Sequence, residues 1–170
     1  RPPRSTLFPY TTLFRSFKYL SVPEAAAGID SEFLKSIDSI IENGPLIKSD
    51  TSTTVCRRTI FNMDVIIKRY NQKSFFHRLL CCLRKPKAFN VYRKTIKLLD
   101  LGFCTPKPIT AIAKTTAFAG SYLITEYSNS PSLHTLIMQD KIADAQWPDF
   151  LERIQSLMTE FEKHNIVHRD

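Results

Sequence analysis

The spacing of hydrophobic residues changes along the chain, and this spacing distinguishes predicted helices from predicted strands. Apolar residues recur at helical spacing over residues 30–43, 74–101 and 149–164, which predicts amphipathic helices. Short β-branched runs bounded by polar turn formers predict strands. The five expected strands are Leu46–Ile47, Val55–Phe61, Val65–Tyr70, Ile109–Ala113 and Ser121–Tyr127. The predicted fold class is therefore α+β.

Turn and capping residues mark the ends of these elements. Asp30 or Ser31 can cap the first helix, and Gly102 stops the middle one. A polar loop at residues 50–53 and a tight turn at residues 62–64 separate the first three strands. These connections predict an antiparallel meander from Leu46 to Tyr70.

Residues 1–16 differ in character from the rest of the chain. Ser5-Thr6-Leu7-Phe8 recurs approximately as Thr12-Leu13-Phe14, and the segment resembles translated sequencing-adaptor sequence. We expect this leader to be non-native and disordered, and we exclude it from fold prediction. The remaining domains expected are an N-terminal helical extension (residues 17–45), a small lobe (46–128) and the start of a second lobe (129–170).

Composition indicates a soluble globular protein, with 43% hydrophobic and 24% charged residues. No apolar run approaches the length that spans a bilayer, so a cytoplasmic location is expected. The four cysteines lack metal-ligand spacing, so free thiols are expected rather than a metal site. The net charge of +8 predicts an anionic partner, although the leader arginines supply three of these charges.

Residues 74–87 are both amphipathic and strongly basic. A solvated helix face is the ordinary meaning of such charge. The more specific hypothesis is that this segment is attracted to the anionic inner leaflet of a membrane. Nucleic acid is an unsupported partner, because no recognition motif accompanies the basic residues.

Lys68 is the first candidate for chemistry, because it follows the β-branched run Val65-Ile66-Ile67. An ammonium beside buried neighbours needs a negative partner. Two interpretations stay open: a lysine that snorkels from an edge strand, and a lysine that binds a phosphate. The loop residues Thr51, Ser52 and Thr53 could lay backbone N–H groups over phosphate. This loop has no glycine, and a plain hairpin turn is the alternative.

The order of these features resembles a known family. The segments that carry the resemblance are Val65-Ile66-Ile67-Lys68-Arg69-Tyr70-Asn71, Phe76-His77-Arg78-Leu79, Gly102-Phe103-Cys104-Thr105-Pro106-Lys107-Pro108, Ser121-Tyr122-Leu123-Ile124-Thr125-Glu126-Tyr127 and the final His168-Arg169-Asp170. Together they resemble the bacterial lipopolysaccharide core kinases, which have a protein-kinase-like fold. The resemblance spans residues 46–170. It implies a five-stranded antiparallel N-lobe sheet with a basic helix, followed by the first helices of a truncated C-lobe.

The resemblance also implies residue roles. Lys68 would contact the α- and β-phosphates of ATP, and the backbone of Glu126 and Tyr127 would hydrogen-bond the adenine. Asp170 would accept the proton of the attacking hydroxyl, positioned by His168 and Arg169. ATP and Mg²⁺ are the implied cofactors. The acceptor implied is a Kdo or heptose sugar of the lipopolysaccharide inner core, at the cytoplasmic face of the inner membrane.

Three departures from the family pattern keep alternatives open. The loop lacks glycine, Val91 lies near the position where the family often has a glutamate, and the Mg²⁺ ligands are expected beyond Asp170. We therefore expect this polypeptide to be an inactive fragment of a longer enzyme. The alternatives are a non-catalytic nucleotide-binding scaffold, a protein Ser/Thr or small-molecule kinase of the same fold, and a nucleic-acid-binding module.

Overall fold

A computed structural model describes residues 10–14, 17–26, 28–60, 62–71, 86–115, 120–131, 133–139 and 142–166. The chain divides into two compact units, residues 1–128 and 129–170. Among the described residues, the first unit holds an antiparallel sheet and three helices, and the second holds two helices and a 3₁₀ turn. The α+β class and the antiparallel sheet are confirmed.

The sheet of the first unit has six strands between residues 17 and 126, and an outer strand precedes them. In chain order the strands are β1 Tyr10–Phe14, β2 Phe17–Ser21, β3 Leu46–Ser49, β4 Thr53–Ile60, β5 Met63–Tyr70, β6 Pro108–Lys114 and β7 Ser121–Glu126. Their spatial order is β1-β2-β6-β7-β5-β4-β3. All five predicted strands are present, and β3, β4 and β5 form the predicted meander.

The predicted number of five strands is wrong, because β2 lies within the segment predicted to be a helical extension. Four of its five residues are buried, so the alternation that marks a half-buried strand is missing from its sequence. β2 pairs with β6 from Phe17 opposite Lys114 to Ser21 opposite Thr110. Its identity as a strand is therefore set by tertiary pairing.

Within the leader, Tyr10–Phe14 forms the outer strand β1. This segment pairs with β2 in an antiparallel hairpin, with Phe14 opposite Phe17. Threonine and aromatic residues suit strands, and the edge of β2 offers them unpaired backbone groups.

The described helices are α1 Pro23–Ala26, α2 Ser31–Glu42 and α3 Lys87–Asp100 in the first unit, and α4 Leu133–Met138 and α5 Trp147–Lys163 in the second. The helices predicted over residues 30–43 and 149–164 are α2 and α5, with nearly the predicted ends. The Asp30 carboxylate caps α2 by accepting the Phe33 N–H at 2.7 Å. Gly102 follows α3 at φ 87° and Asn165 follows α5 at φ 52°, the left-handed conformation typical of a residue past a helix end.

The basic segment was predicted to be helical from Ser74 onwards. Only its part from residue 86 lies among the described residues, and there α3 begins directly after Pro86. Residues 72–85, which carry most of the proposed membrane-docking charge, lie outside the described residues. In the described part of the chain, no helix is both long and apolar enough to cross a membrane.

Alternation along the strands divides the sheet into two faces with separate cores. On the face that we call the α2 face, α2 packs its buried residues Leu34, Ile37 and Ile41 against the sheet. On the opposite face, the α3 face, α3 buries Ala88, Phe89 and Tyr92. The two helices therefore cover opposite sides of one sheet.

Asp38 ties α2 to its face through three hydrogen bonds. Its carboxylate accepts from Lys114 Nζ at 2.6 Å, Tyr122 Oη at 2.8 Å and Arg69 Nη1 at 3.1 Å. Burial raises the pKa of Asp38, but the hydrogen bonds from Lys114, Tyr122 and Arg69 together lower it below its ordinary value. Burial and the bond to Asp38 also raise the pKa of Tyr122. Asp38 therefore stays ionised in the folded protein.

In the second unit, α5 has the amphipathic pattern predicted for residues 149–164. None of its described side chains is fully buried, and Leu151, Leu157 and Met158 are exposed. An exposed apolar helix face of this kind is typical of a surface that packs against another element.

Candidate functional site

Lys68 lies on the α3 face at the centre of the sheet. The two-residue period of β5 places Ile66, Lys68 and Tyr70 on this face. Lys68 is half-buried, and its Nζ lies 5.5 Å from the centroid of the Tyr70 ring. Because β5 lies between β4 and β7, the interpretation of Lys68 as an edge-strand lysine is wrong.

An apolar strip adjoins Lys68 on the α3 face, beside the part of the sheet on which α3 packs. Helix α3 packs on β6 and β7, whereas the same face continues over β5 and β4. Val55 lies directly opposite Lys68 on β4, and Val55 and Ile66 are both half-buried. These two side chains form a floor on which a flat, largely apolar ring can rest.

The predicted hinge residues lie at the far end of this strip. Glu126 pairs with Val65, three residues before Lys68, which corresponds to about 10 Å along a strand. The Glu126 N–H donates to Lys107 O at 2.9 Å, and the Tyr127 N–H donates to Asp64 O at 3.0 Å. Both amides therefore already donate within the chain and are not open to an adenine ring.

Arg57 borders the hinge end of the strip, and the sequence analysis missed it. Its guanidinium carbon lies 3.8 Å from the centroid of the Tyr127 ring, and it forms an ion pair with Asp64. The hydrogen bond from Arg57 lowers the pKa of Asp64, and the same bond raises the pKa of Arg57. Alternation along β4 was the available signal, since Arg57 lies two residues after Val55.

The loop of Thr51, Ser52 and Thr53 is organised around a carboxylate rather than an open phosphate cradle. Asp50 Oδ1 accepts from the Ser52 N–H, the Ser52 hydroxyl and the Thr53 N–H, each at 2.7 Å. The Ser52 hydroxyl is the largest of the causes that hold the pKa of Asp50 well below its ordinary range. A phosphate would have to displace an ionised carboxylate from these amides.

Helix α3 presents no acid to the sheet along its described length, because its one carboxylate is Asp100, the last residue. Val91 is half-buried and packs beside the cluster that contains Tyr70 and Leu123. The position at which the family often has a glutamate is therefore occupied by an aliphatic side chain that packs against the core.

The three proposed catalytic residues, His168, Arg169 and Asp170, lie outside the described residues. The structure therefore does not place them relative to Lys68. Among the residues that are described, no group of three His, Cys, Asp or Glu side chains could hold a metal ion. Of the four cysteines, Cys56 (buried) and Cys104 (exposed) are described, and both are free thiols.

No protein-family model, curated protein or solved structure matches this chain. The candidate site is therefore defined by its own geometry, which is a lysine beside an apolar strip with backbone hydrogen-bonding groups at the far end.

Proposed function

We propose that the chain forms the nucleotide-binding part of an ATP-dependent phosphotransferase with a protein-kinase-like fold. The observation that carries this proposal is the position of Lys68 beside the Val55–Ile66 floor, about 10 Å along the strand from Glu126. An extended nucleotide has the same order of groups: a flat base with hydrogen-bonding edges at one end and anionic phosphates at the other.

Each part of the strip supplies one type of interaction. The base would rest on Val55 and Ile66, where burial of apolar surface contributes about 25 cal/mol per Å². The phosphates would meet the Lys68 ammonium at the border of the α3-covered region, where partial burial strengthens the attraction. Because α2 covers the opposite face, the α3 face is the side on which this binding would occur.

For the transfer step we propose the roles that the family resemblance implies. Asp170 would accept the proton of the acceptor hydroxyl, and His168 and Arg169 would position it. The acceptor proposed is a Kdo or heptose sugar of the lipopolysaccharide inner core, at the membrane surface. Mg²⁺ would neutralise charge on the transferring phosphate, with ligands from a segment that follows Asp170.

Nucleotide binding is tested by titrating the chain with ATP in a calorimeter. We expect saturable binding, and Lys68→Ala should weaken it about tenfold or more, because a charge-assisted contact to phosphate is lost. The matched control is Lys94→Ala, an exposed lysine on α3, which should leave the affinity unchanged. Equal affinities for the native chain and Lys68→Ala would contradict the role given to Lys68.

Phosphoryl transfer is tested in a protein that joins this chain to the asparagine and Asp-Phe-Gly-like segment that the resemblance places after Asp170. With labelled ATP and Mg²⁺, core oligosaccharide should accept phosphate and a panel of proteins should not. Asp170→Ala should abolish the transfer while ATP binding persists. Transfer to the protein panel instead would favour a protein kinase of the same fold.

Two observations favour a second candidate, a non-catalytic nucleotide-binding scaffold. Helix α3 lacks a carboxylate before Asp100, and the Ser52 and Thr53 amides are occupied by Asp50. Under this hypothesis the extended protein binds ATP, responds to Lys68→Ala and transfers phosphate to no acceptor.

A further inference from the structure

We propose that Lys87 is a second phosphate-binding residue, which acts with Lys68 on a chain of two or more phosphates. This inference deepens the proposed nucleotide-binding function and rests on it for the identity of the ligand. The sequence analysis gave Lys87 no role beyond the charge of the basic helix.

The two lysines converge on one aromatic ring. Lys87 Nζ lies 5.1 Å and Lys68 Nζ 5.5 Å from the centroid of the Tyr70 ring, both within the range of a cation–π contact. Lys68 comes from the middle of β5 and Lys87 from the first residue of α3. Residues that are 19 positions apart in sequence therefore place their ammonium groups within cation–π range of the same ring.

The position of the Tyr70 ring is fixed by packing. The Tyr70 side chain is buried with Ala88 and Phe89 in the core of the α3 face. The Ala88 N–H donates to Ser121 Oγ at 3.3 Å, which ties the start of α3 to β7. A Cβ atom at Gly120 would lie 2.9 Å from the Tyr70 carbonyl oxygen, so glycine permits this close approach.

Lys87 brings a positive charge to this ring. It is exposed, it forms no ion pair with any described residue, and the first turn of α3 contains no acid. A cation at a helix N-terminus faces the positive end of the helix dipole, which is unfavourable. Burial raises the pKa of the Tyr70 hydroxyl, so near neutral pH the ring carries no charge to offset Lys87. A bound polyanion would relieve the repulsion between Lys87 and the helix dipole.

The test compares Lys87→Gln and Lys68→Gln with the native chain in calorimetric titrations of inorganic tripolyphosphate, ATP and adenosine. Lys94→Gln is the control, because Lys94 is an exposed lysine of the same helix, and circular dichroism checks that each variant is folded. We expect Lys87→Gln to weaken the binding of tripolyphosphate and ATP about tenfold, as for one lost charge-assisted contact. Adenosine binding should not change.

The outcomes separate this inference from the proposed function. Loss of tripolyphosphate affinity in Lys87→Gln supports the anion site. If the native chain binds ATP no more tightly than tripolyphosphate, that result counts against nucleotide binding but not against the anion site. If Lys87→Gln binds tripolyphosphate like the native chain, or if the native chain binds none, the role of Lys87 is refuted.

Discussion

At the scale of single residues, the carboxylate of Asp38 links helix α2 to the sheet. Asp38 is the only acid of α2 that touches three side chains of the sheet, among the residues that the structure describes. Arg69 and Lys114 are only 24% and 28% exposed. Loss of Asp38 would remove the carboxylate partner of Lys114 and leave Arg69 with the more exposed Glu42, 3.5 Å away, which is costly for partly buried cations.

Asp38→Asn should therefore destabilise the first unit by about 2 kcal/mol, between the values typical of exposed and buried ion pairs. Chemical denaturation with urea measures the loss. The control is Lys163→Gln, because the Lys163–Glu160 pair on α5 is well exposed and its removal should have little effect. Equal destabilisation by both variants would contradict the special role of Asp38.

The stability that Asp38 contributes should also depend on pH in a defined direction. Its pKa in the folded protein is below the ordinary value of 3.8, so the folded state binds its proton more weakly than the unfolded state. The contribution is complete above about pH 5 and is lost as the pH falls through the lowered value. Between pH 5 and pH 2, the native chain should lose more stability than Asp38→Asn, as measured by urea denaturation at each pH.

Ile66 provides the matching prediction for the apolar part of the site. Ile66→Ala removes part of the floor, so binding of ATP and adenosine should weaken by about 1 kcal/mol, which is about fivefold in Kd. Tripolyphosphate binding should be unaffected, in contrast to the lysine variants. Leu46→Ala, at an exposed position on β3, is the control. A loss confined to tripolyphosphate would place the base elsewhere.

At the scale of elements, sequence patterns predict what each segment forms better than where it lies. The five alternating or β-branched strands and the capped helix α2 are confirmed because local periodicity and capping encode them. Strand β2 was missed because it is buried on both faces and shows no alternation. The polar turn at residues 50–53 was predicted, but the capture of its amides by the Asp50 carboxylate was not, since several conformations satisfy a polar loop equally from sequence alone.

The candidate site depends on which strands and helices lie next to β5, and no local sequence pattern encodes this. That Lys68 follows a β-branched run is visible in the sequence. That β5 lies between β4 and β7, and that α3 packs mainly on β6 and β7, follows from tertiary packing. Only through this arrangement does Val55 become a neighbour of Lys68, and Lys87 a neighbour of the Tyr70 ring.

At the scale of the whole molecule, the candidate nucleotide site belongs to one of two compact units. Every residue of the strip, from Val55 to Tyr127, lies in the first unit, residues 1–128. The two hydrophobic clusters on the faces of the sheet lie there as well. The stability of the first unit should therefore be largely independent of the second unit.

A polypeptide of residues 1–128 should unfold cooperatively and bind tripolyphosphate and ATP with the affinity of the full chain. Thermal denaturation followed by circular dichroism, together with the same titrations, measures both properties. Failure of this polypeptide to fold would show that residues 129–170 contribute to the core of the first unit.

The outward face of helix α2 offers positions at which a probe can be attached to the first unit. The outward positions Lys35 and Ser39 are exposed, and the sheet separates them from Lys68 and Tyr70 on the opposite face. A fluorophore or surface tether attached at Ser39→Cys, in a variant whose other cysteines, including the exposed Cys104, are replaced, would lie on the face opposite Lys68 and Tyr70. Single-molecule and immobilised-protein assays of the proposed site can therefore be built on this helix.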